Sequence, residues 1–379
     1  MRLINFFAYL AGIVLVALVA RVALVARSMP QDPACHGGRL DIAGREQAQA
    51  DGYEIDRERG CITRASYDRV QSELARWSQA RAQAETERVQ AEHALRHPGR
   101  TLAQARDRFV TGVAVHADAT PLPRPPGNLF MRSDYASGKS SRPGFATPDP
   151  GDGRRRPAIV WLTGGDSSTL DDFWSPPADD ENDQTAHAFR DAGIVMYFPT
   201  LRGGNDDTAG HEYFLGEVDD VLAAADHVAS LPWVDPKQVY LGGHSTGGTL
   251  ALLAAETSGR FAGVFAFGPV ASVQDYPASI VPLPAGLPEE EFALRSPIHW
   301  LEGLSSPTYL IEGEQQPGNI TSLHELCRGD PSPWLHCIPV AGRTHFSVLA
   351  PSTRTIAARI AMAGEGIAFS LGAADLARR

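Results

Sequence analysis

The sequence predicts an α/β protein whose sheet is mostly parallel and covered on both faces. Three observations predict it. Short apolar runs such as Ala158 to Leu162 (AIVWL), Ile194 to Phe198 and Ala262 to Phe267 alternate with stretches of helical periodicity, as strands joined by crossover helices do. The run Tyr240 to Gly248 (YLGGHSTGG) sets a serine between a strand-like and a helix-like segment. With 379 residues and 43% apolar content the chain can bury a real core, sized for one large domain and a small one.

The first element is the apolar segment Ile4 to Ala20, interrupted by Arg21 and resumed by Val22 to Ala26. It is long enough to cross a membrane. Ala17 to Ala20 is a poor small-x-small cleavage site, and Ala26-Arg27-Ser28 lies beyond the charge. An uncleaved anchor within residues 1–28 is therefore the expectation, with a cleaved signal peptide as the alternative. Residues 29–118 are expected to form a small module: a polar, Gly-rich stretch, then a helix capped by Thr63 or Ser66 and running to about Leu95. Tyr67, Val70, Leu74 and Trp77 give that helix one apolar face, which Arg81 and Arg88 interrupt. Cys35 and Cys61 lie near each other in sequence, as do Cys327 and Cys337. Two local disulfides fit an exported, oxidising location, periplasmic or extracellular.

The Pro-rich Ala119 to Gly127 marks a boundary, and residues 119–379 form the large domain. Asn128 to Tyr135 and Arg142 to Thr147 are expected as early strands, followed by strands at 158–162, 194–198, 239–241, 262–267 and 309–311. A last one at 335–340 holds Pro339 and so belongs at a sheet edge. Glu217 to Leu231 is helical, and helices are expected after Ser245, Gly318 and His345. Asp275 to Leu294 is either a cover for the site or a surface loop. A formal charge of −11 and the lack of a basic stripe argue against a nucleic-acid partner.

Ser245 is the candidate nucleophile. A strand turning sharply into a helix exposes such a serine on a strained elbow, with small residues on both sides. A serine hydroxyl is a weak nucleophile and needs a base, which in turn needs an orienting acid. In chain order the acid and then the histidine should follow the serine. His345, in a loop between a strand and a helix, fits the base better than His244, His324 or His336. The acid should follow the strand ending near Ile311, where Glu314 is preferred and Glu312 is the alternative. The oxyanion donors are expected to be the N–H of Thr246 and that of Gly165 or Gly164.

From Pro157 to Arg359 the chain resembles the prolyl oligopeptidase family of serine hydrolases. Arg202-Gly203-Gly204 is similar to the family's Arg-Gly turn. Val234-Asp235-Pro236 with Val239 to Gly248 is similar to its Asp-Pro, strand and nucleophile run. Ser296-Pro297-Ile298 with Pro307, and the loop around His345, complete the likeness. The resemblance implies the α/β-hydrolase fold, with Ser245 as nucleophile and His345 as base. It also shows departures. The family's aspartate aligns with Gln316, and the histidine of its His-Gly pair aligns with Glu312. Thr163 stands where a histidine often precedes the oxyanion glycines. Residues 29–127 are too few for the propeller of the larger members.

The expectation is thus a serine hydrolase acting on an ester or peptide bond through an acyl-serine, with no cofactor or metal. The alternative is a membrane-tethered binding or scaffold protein on the same fold, motivated by Gln316. A small acyl ester or peptide is the expected partner, besides the membrane; the sequence sets no oligomeric state.

Overall fold

The structure is a computed structural model. It describes residues 40, 42–50, 52–66, 68–69, 72, 75–76, 79–80, 83 and 99–376, apart from 117–119, 178–179, 206, 330 and 365–368. The chain divides into two compact units, 1–91 and 92–379.

In the smaller unit, helix Ile42–Ala50 and an antiparallel pair of two-residue strands, Ile55–Asp56 and Cys61–Ile62, enclose a core of Leu40, Ala48, Tyr53 and Ile62. Thr63 Oγ1 accepts from Ser66 N–H at 3.3 Å and so caps the turn that follows. The described residues between 64 and 83 are helical. The apolar face expected there, from Tyr67 to Trp77, lies outside the described residues, as does the segment Ile4 to Ala26. Among the described residues no helix is long and apolar enough to cross a membrane. Cys61 is disulfide-bonded; Cys35 lies outside the described residues.

The larger unit is built on an eight-stranded sheet: β1 (Met131–Arg132), β2 (Gly144–Ala146), β3 (Arg156–Leu162), β4 (Val195–Pro199), β5 (Val234–His244), β6 (Val264–Phe267), β7 (Thr308–Gln315) and β8 (Leu335–Thr344). Their order across the sheet is β8-β7-β6-β5-β3-β4-β2-β1. Neighbours from β8 to β4 are parallel, and β2 is antiparallel to both β1 and β4. That makes β2 the one strand running against the rest, and the order is that of the α/β-hydrolase fold expected from sequence. β8, which carries Pro339, is an edge strand, where a missing donor costs no ladder bond.

Each central strand divides its side chains between two cores. In β3, Ala158, Val160 and Leu162 face one layer, while Ile159 and Trp161 face the other. The first layer holds helices α1 (Gly216–Ser230) and α2 (Thr246–Thr257). Val218, Val221 and Val228 of α1 and the apolar run Leu250–Ala255 of α2 are buried there. The opposite layer holds α3 (Leu349–Gly364), packed through Leu349, Ile356 and Ile360. Residues that precede the expected boundary at 119 also belong to this unit. Leu102 and Ala105 join the first core, and Gly112 N–H donates to Glu291 Oε1 at 3.0 Å. Cys327 and Cys337 form a disulfide between the helix Ile320–Leu326 and β8.

Candidate active site

Ser245 stands where β5 turns into α2. Its φ of 55° and ψ of −114° lie where side chains are rarely found, a conformation costing on the order of 1–3 kcal/mol. Its surroundings hold it there. Ser245 N–H donates to Phe267 O at the end of β6 (2.7 Å), and Ser245 O accepts from Thr249 N–H (2.9 Å). A Cβ on Gly247 would overlap the carbonyl of Leu162, so the elbow approaches β3 too closely for any other residue.

His345 follows β8 directly and is buried. Its Nδ1 faces the carboxylate of Glu312, 3.2 Å from Oε1 and 3.0 Å from Oε2. With Nδ1–H donating to that carboxylate, Nε2 carries the lone pair a base requires. Glu312 lies in β7 and is fully buried; its Oε1 also accepts from Asn319 N–H at 3.1 Å. Both groups crowd against Gly268, whose φ is 56°. A Cβ at that position would overlap His345 Cε1 and Glu312 Oε2. Ser245, His345 and Glu312 are thus gathered around the carboxyl end of β6, Ser245 through Phe267 and the other two through Gly268.

The expected preference for Glu314 is not what the structure places beside the base. Glu314 is exposed near the end of β7. The β7–β8 register shifts between Gly313 and Gln315, so the two glutamates do not share a face as they would in a regular strand. Gln316, at the family's aspartate position, is exposed as well.

Tyr276 reaches the first turn of α2, where its hydroxyl pairs with Thr249 Oγ1 at 2.7 Å. Burial pushes the Tyr276 phenol above its usual range, so it is neutral and able to donate. The ring of Tyr276 stacks on Phe214, centroids 5.7 Å apart. The hydrogen bonds of His345 run to Glu312, to His244 and to Pro317 O. In a free hydrolase the nucleophile–base bond is often long and tightens only with substrate bound.

His244 packs beside the site. Its Nε2 donates to His345 O at 2.9 Å, and its Nδ1 accepts from the Gln184 amide at 2.7 Å. Burial first, with a second imidazole, His345, beside it, lowers its pKa to about 3, so it stays neutral and fixes the His345 backbone. Gln184 Oε1 in turn accepts from Gly164 N–H at 3.0 Å. That commits the Gly164 donor and removes it from the expected oxyanion pair. Gly165 and Thr246 line one cavity, and Thr246 Oγ1 donates to Gly165 O at 2.9 Å. Thr246 is the first residue of α2, so its N–H has no partner within the helix. These two amides are the candidate donors for a developing negative oxygen. Gln184, Asn319, Thr249 and Tyr276 carry no signal in the sequence, because each reaches the site through a tertiary contact with no local motif.

Residues 181–313 match the Prolyl oligopeptidase family. The match covers about a third of the chain, and over that stretch the chain is similar to this family of serine hydrolases. The match takes in Ser245 and Glu312 and stops before His345. Among solved structures the chain is similar to 2,6-dihydroxy-pseudo-oxynicotine hydrolase, with TM-score 0.49 and 16% identity over 65% of this chain and 72% of that one. It is similar to the acylaminoacyl peptidase of Pyrococcus horikoshii, with TM-score 0.49 and 14% identity over 66% of this chain and 44% of that one. It is also similar to a puromycin-hydrolyzing peptidase of Mycobacterium tuberculosis, with TM-score 0.49 and 15% identity over 64% and 40%. It therefore spans less than half the length of those two peptidases. No curated protein matches the chain.

Proposed function

We propose that the chain hydrolyses peptide bonds, and activated esters by the same steps, through an acyl-Ser245 intermediate. His345 Nε2 takes the Ser245 proton as the oxygen attacks the carbonyl carbon. The N–H groups of Thr246 and Gly165 hold the resulting oxyanion. His345 then passes the proton to the leaving nitrogen, and a water, activated by the same imidazole, releases the acid. Glu312 keeps the proton on Nδ1 throughout. The observation that carries this reading is the buried Glu312–His345 pair beside a strained serine elbow. That pair also answers the motive for a non-catalytic scaffold, since a carboxylate replaces the one missing at Gln316.

A fluorophosphonate probe tests it. Wild type should be labelled, and Ser245→Ala and His345→Ala should not. An unlabelled wild-type protein that is demonstrably folded would overturn the proposal. We further propose that the chain is exported and tethered by residues 1–28; the Cys327–Cys337 disulfide supports an oxidising location. Full-length protein should then stay with membranes through a carbonate wash, whereas a shorter soluble form would mean cleavage.

A further inference from the structure

The loop that follows β3 and the first turn of α2 share a cavity of about 160 Å³ with Glu217, Phe214, Leu250 and Val281. That is near the size of an apolar cavity able to hold benzene, ~150 Å³, so it takes one small side chain or acyl group. Its wall includes Gly165 and Thr246, the residues of the proposed oxyanion site.

Glu217 is the unexplained group in that wall. It is 2% exposed. Its Oε1 accepts from Glu212 N–H at 2.7 Å and from Tyr213 N–H at 3.1 Å. Its Oε2 has no partner among the described residues. An unpaired buried carboxylate oxygen is costly, and the neighbouring cations spend their hydrogen bonds elsewhere. Arg202 is committed to Asp220 at 3.0 Å and to Glu212 at 2.7 Å. Arg295 is committed to Glu291 and to Glu212 O. No lysine or arginine lines the cavity, whereas Asp166 does. His211 and Tyr213 are the remaining titratable groups there. The cavity is therefore acidic and partly apolar, and it holds a carboxylate whose Oε2 lacks a donor among the described residues.

We propose that this cavity is the acyl pocket and that Glu217 Oε2 receives an ammonium carried by the acyl part of the substrate, which makes aminoacyl amides and esters with a free amine the preferred class. This rests on the hydrolase reading above and adds its substrate class. A free α-amino group and a side-chain ammonium share the required chemistry. The α-amino group suits the cavity better, because a small aminoacyl unit fills it without a long chain. Burial first, only partly countered by backbone N–H groups and by the charge of Arg202, raises Glu217 to about 7; a bound ammonium supplies further charge that favours the carboxylate.

The test compares kcat/KM for alanyl, N-acetyl-alanyl, butyryl and N-acetyl-lysyl p-nitrophenyl or p-nitroanilide substrates, in wild type and Glu217→Gln. Wild type should prefer alanyl over N-acetyl-alanyl by ~10². In Glu217→Gln the alanyl-to-butyryl ratio should fall at least ~30-fold. N-acetyl-lysyl cleaved as well as alanyl would move the ammonium to the side chain; equal rates for alanyl and N-acetyl-alanyl, with N-acetyl-lysyl slow, would overturn the proposal. Calorimetry on Ser245→Ala with L-alaninamide and N-acetyl-L-alaninamide reads the pocket without turnover. Binding of the free amine only supports the pocket even if the hydrolase reading fails. Equal binding, or none, with fluorophosphonate labelling of wild type intact, overturns the pocket and leaves the hydrolase reading standing.

Discussion

Glu312→Gln is the perturbation that separates a working triad from a serine in a suggestive turn. The carboxylate is fully buried and accepts from His345 Nδ1 at 3.0 and 3.2 Å and from Asn319 N–H at 3.1 Å. Glutamine keeps the shape and turns one acceptor into a donor. If the amide nitrogen takes the Oε2 place, it meets Nδ1–H; if it takes the Oε1 place, it meets Asn319 N–H. Each orientation sets donor against donor. The first is relieved only by moving the imidazole proton to Nε2, the atom that must be free to accept from Ser245. An amide in place of the triad acid costs ~10⁴ in turnover, or about 5 kcal/mol of barrier. Steady-state hydrolysis of an activated ester and the rate of fluorophosphonate labelling both read this, with the thermal midpoint as a check on folding. Glu314→Gln should stay within about twofold of wild type, because that side chain is exposed. A folded Glu312→Gln protein within tenfold of wild type would refute the reasoning, as would an equal loss in Glu314→Gln.

Gly268→Ala should lower turnover by more than ~10² and destabilise by ~1–3 kcal/mol. The new methyl would collide with His345 and Glu312 at a φ of 56°; unchanged kinetics would show that the pair does not sit there. Tyr276→Phe removes a hydroxyl that pairs with Thr249, one turn of helix past the serine elbow. It should slow labelling by up to ~10-fold while costing ~1 kcal/mol in urea unfolding, and faster labelling would show that the phenol restrains the serine instead. Folding should also report on Glu217, raised by burial from 4.5 to about 7. Between those values the folded chain holds a proton that the unfolded chain has released, so stability falls as pH rises through that window and levels off above it. The total is ~3 kcal/mol. Urea midpoints against pH should lose that slope in Glu217→Gln; an unaltered slope would exclude the group as its source.

Much of the fold was legible because its signals are local. AIVWL is apolar at successive positions, and β3 sends alternate residues into two cores. The valines of α1 recur at helical steps. Pro339 pointed to a sheet edge, and β8 lies there. The serine elbow was legible for the same reason, since glycines, strand and helix are contiguous. The acid was not. Glu312 and Glu314 are two residues apart, and a regular strand would put both on one face. The register shift past Gly313 separates them, and it depends on pairing with β8, which no local pattern records. Gln184 was illegible on similar grounds, because its tie to Gly164 spans twenty residues and its tie to His244 sixty.

The placement of the acid carries its own logic. A carboxylate at Gln316 would approach the imidazole from the loop beyond β7. One at Glu312 must come from the strand itself, squeezed between β6 and β8. That route has no spare volume, and the chain supplies it at two points. Gly268 leaves the end of β6 open, and a Cβ at Gly318 would overlap Glu312 Oε1. The polar balance follows the same geometry. Asn319 donates its backbone N–H to Glu312 and its side-chain amide to Gly268 O at 2.8 Å, so one residue holds both the acid and the gap that admits it. A buried carboxylate without such donors would be an uncompensated cost. With them, and with His345 Nδ1–H, both of its oxygens are occupied. The charge is therefore set where an imidazolium would form during the attack on substrate, and an interaction that strengthens as that charge develops lowers the barrier more than it tightens binding.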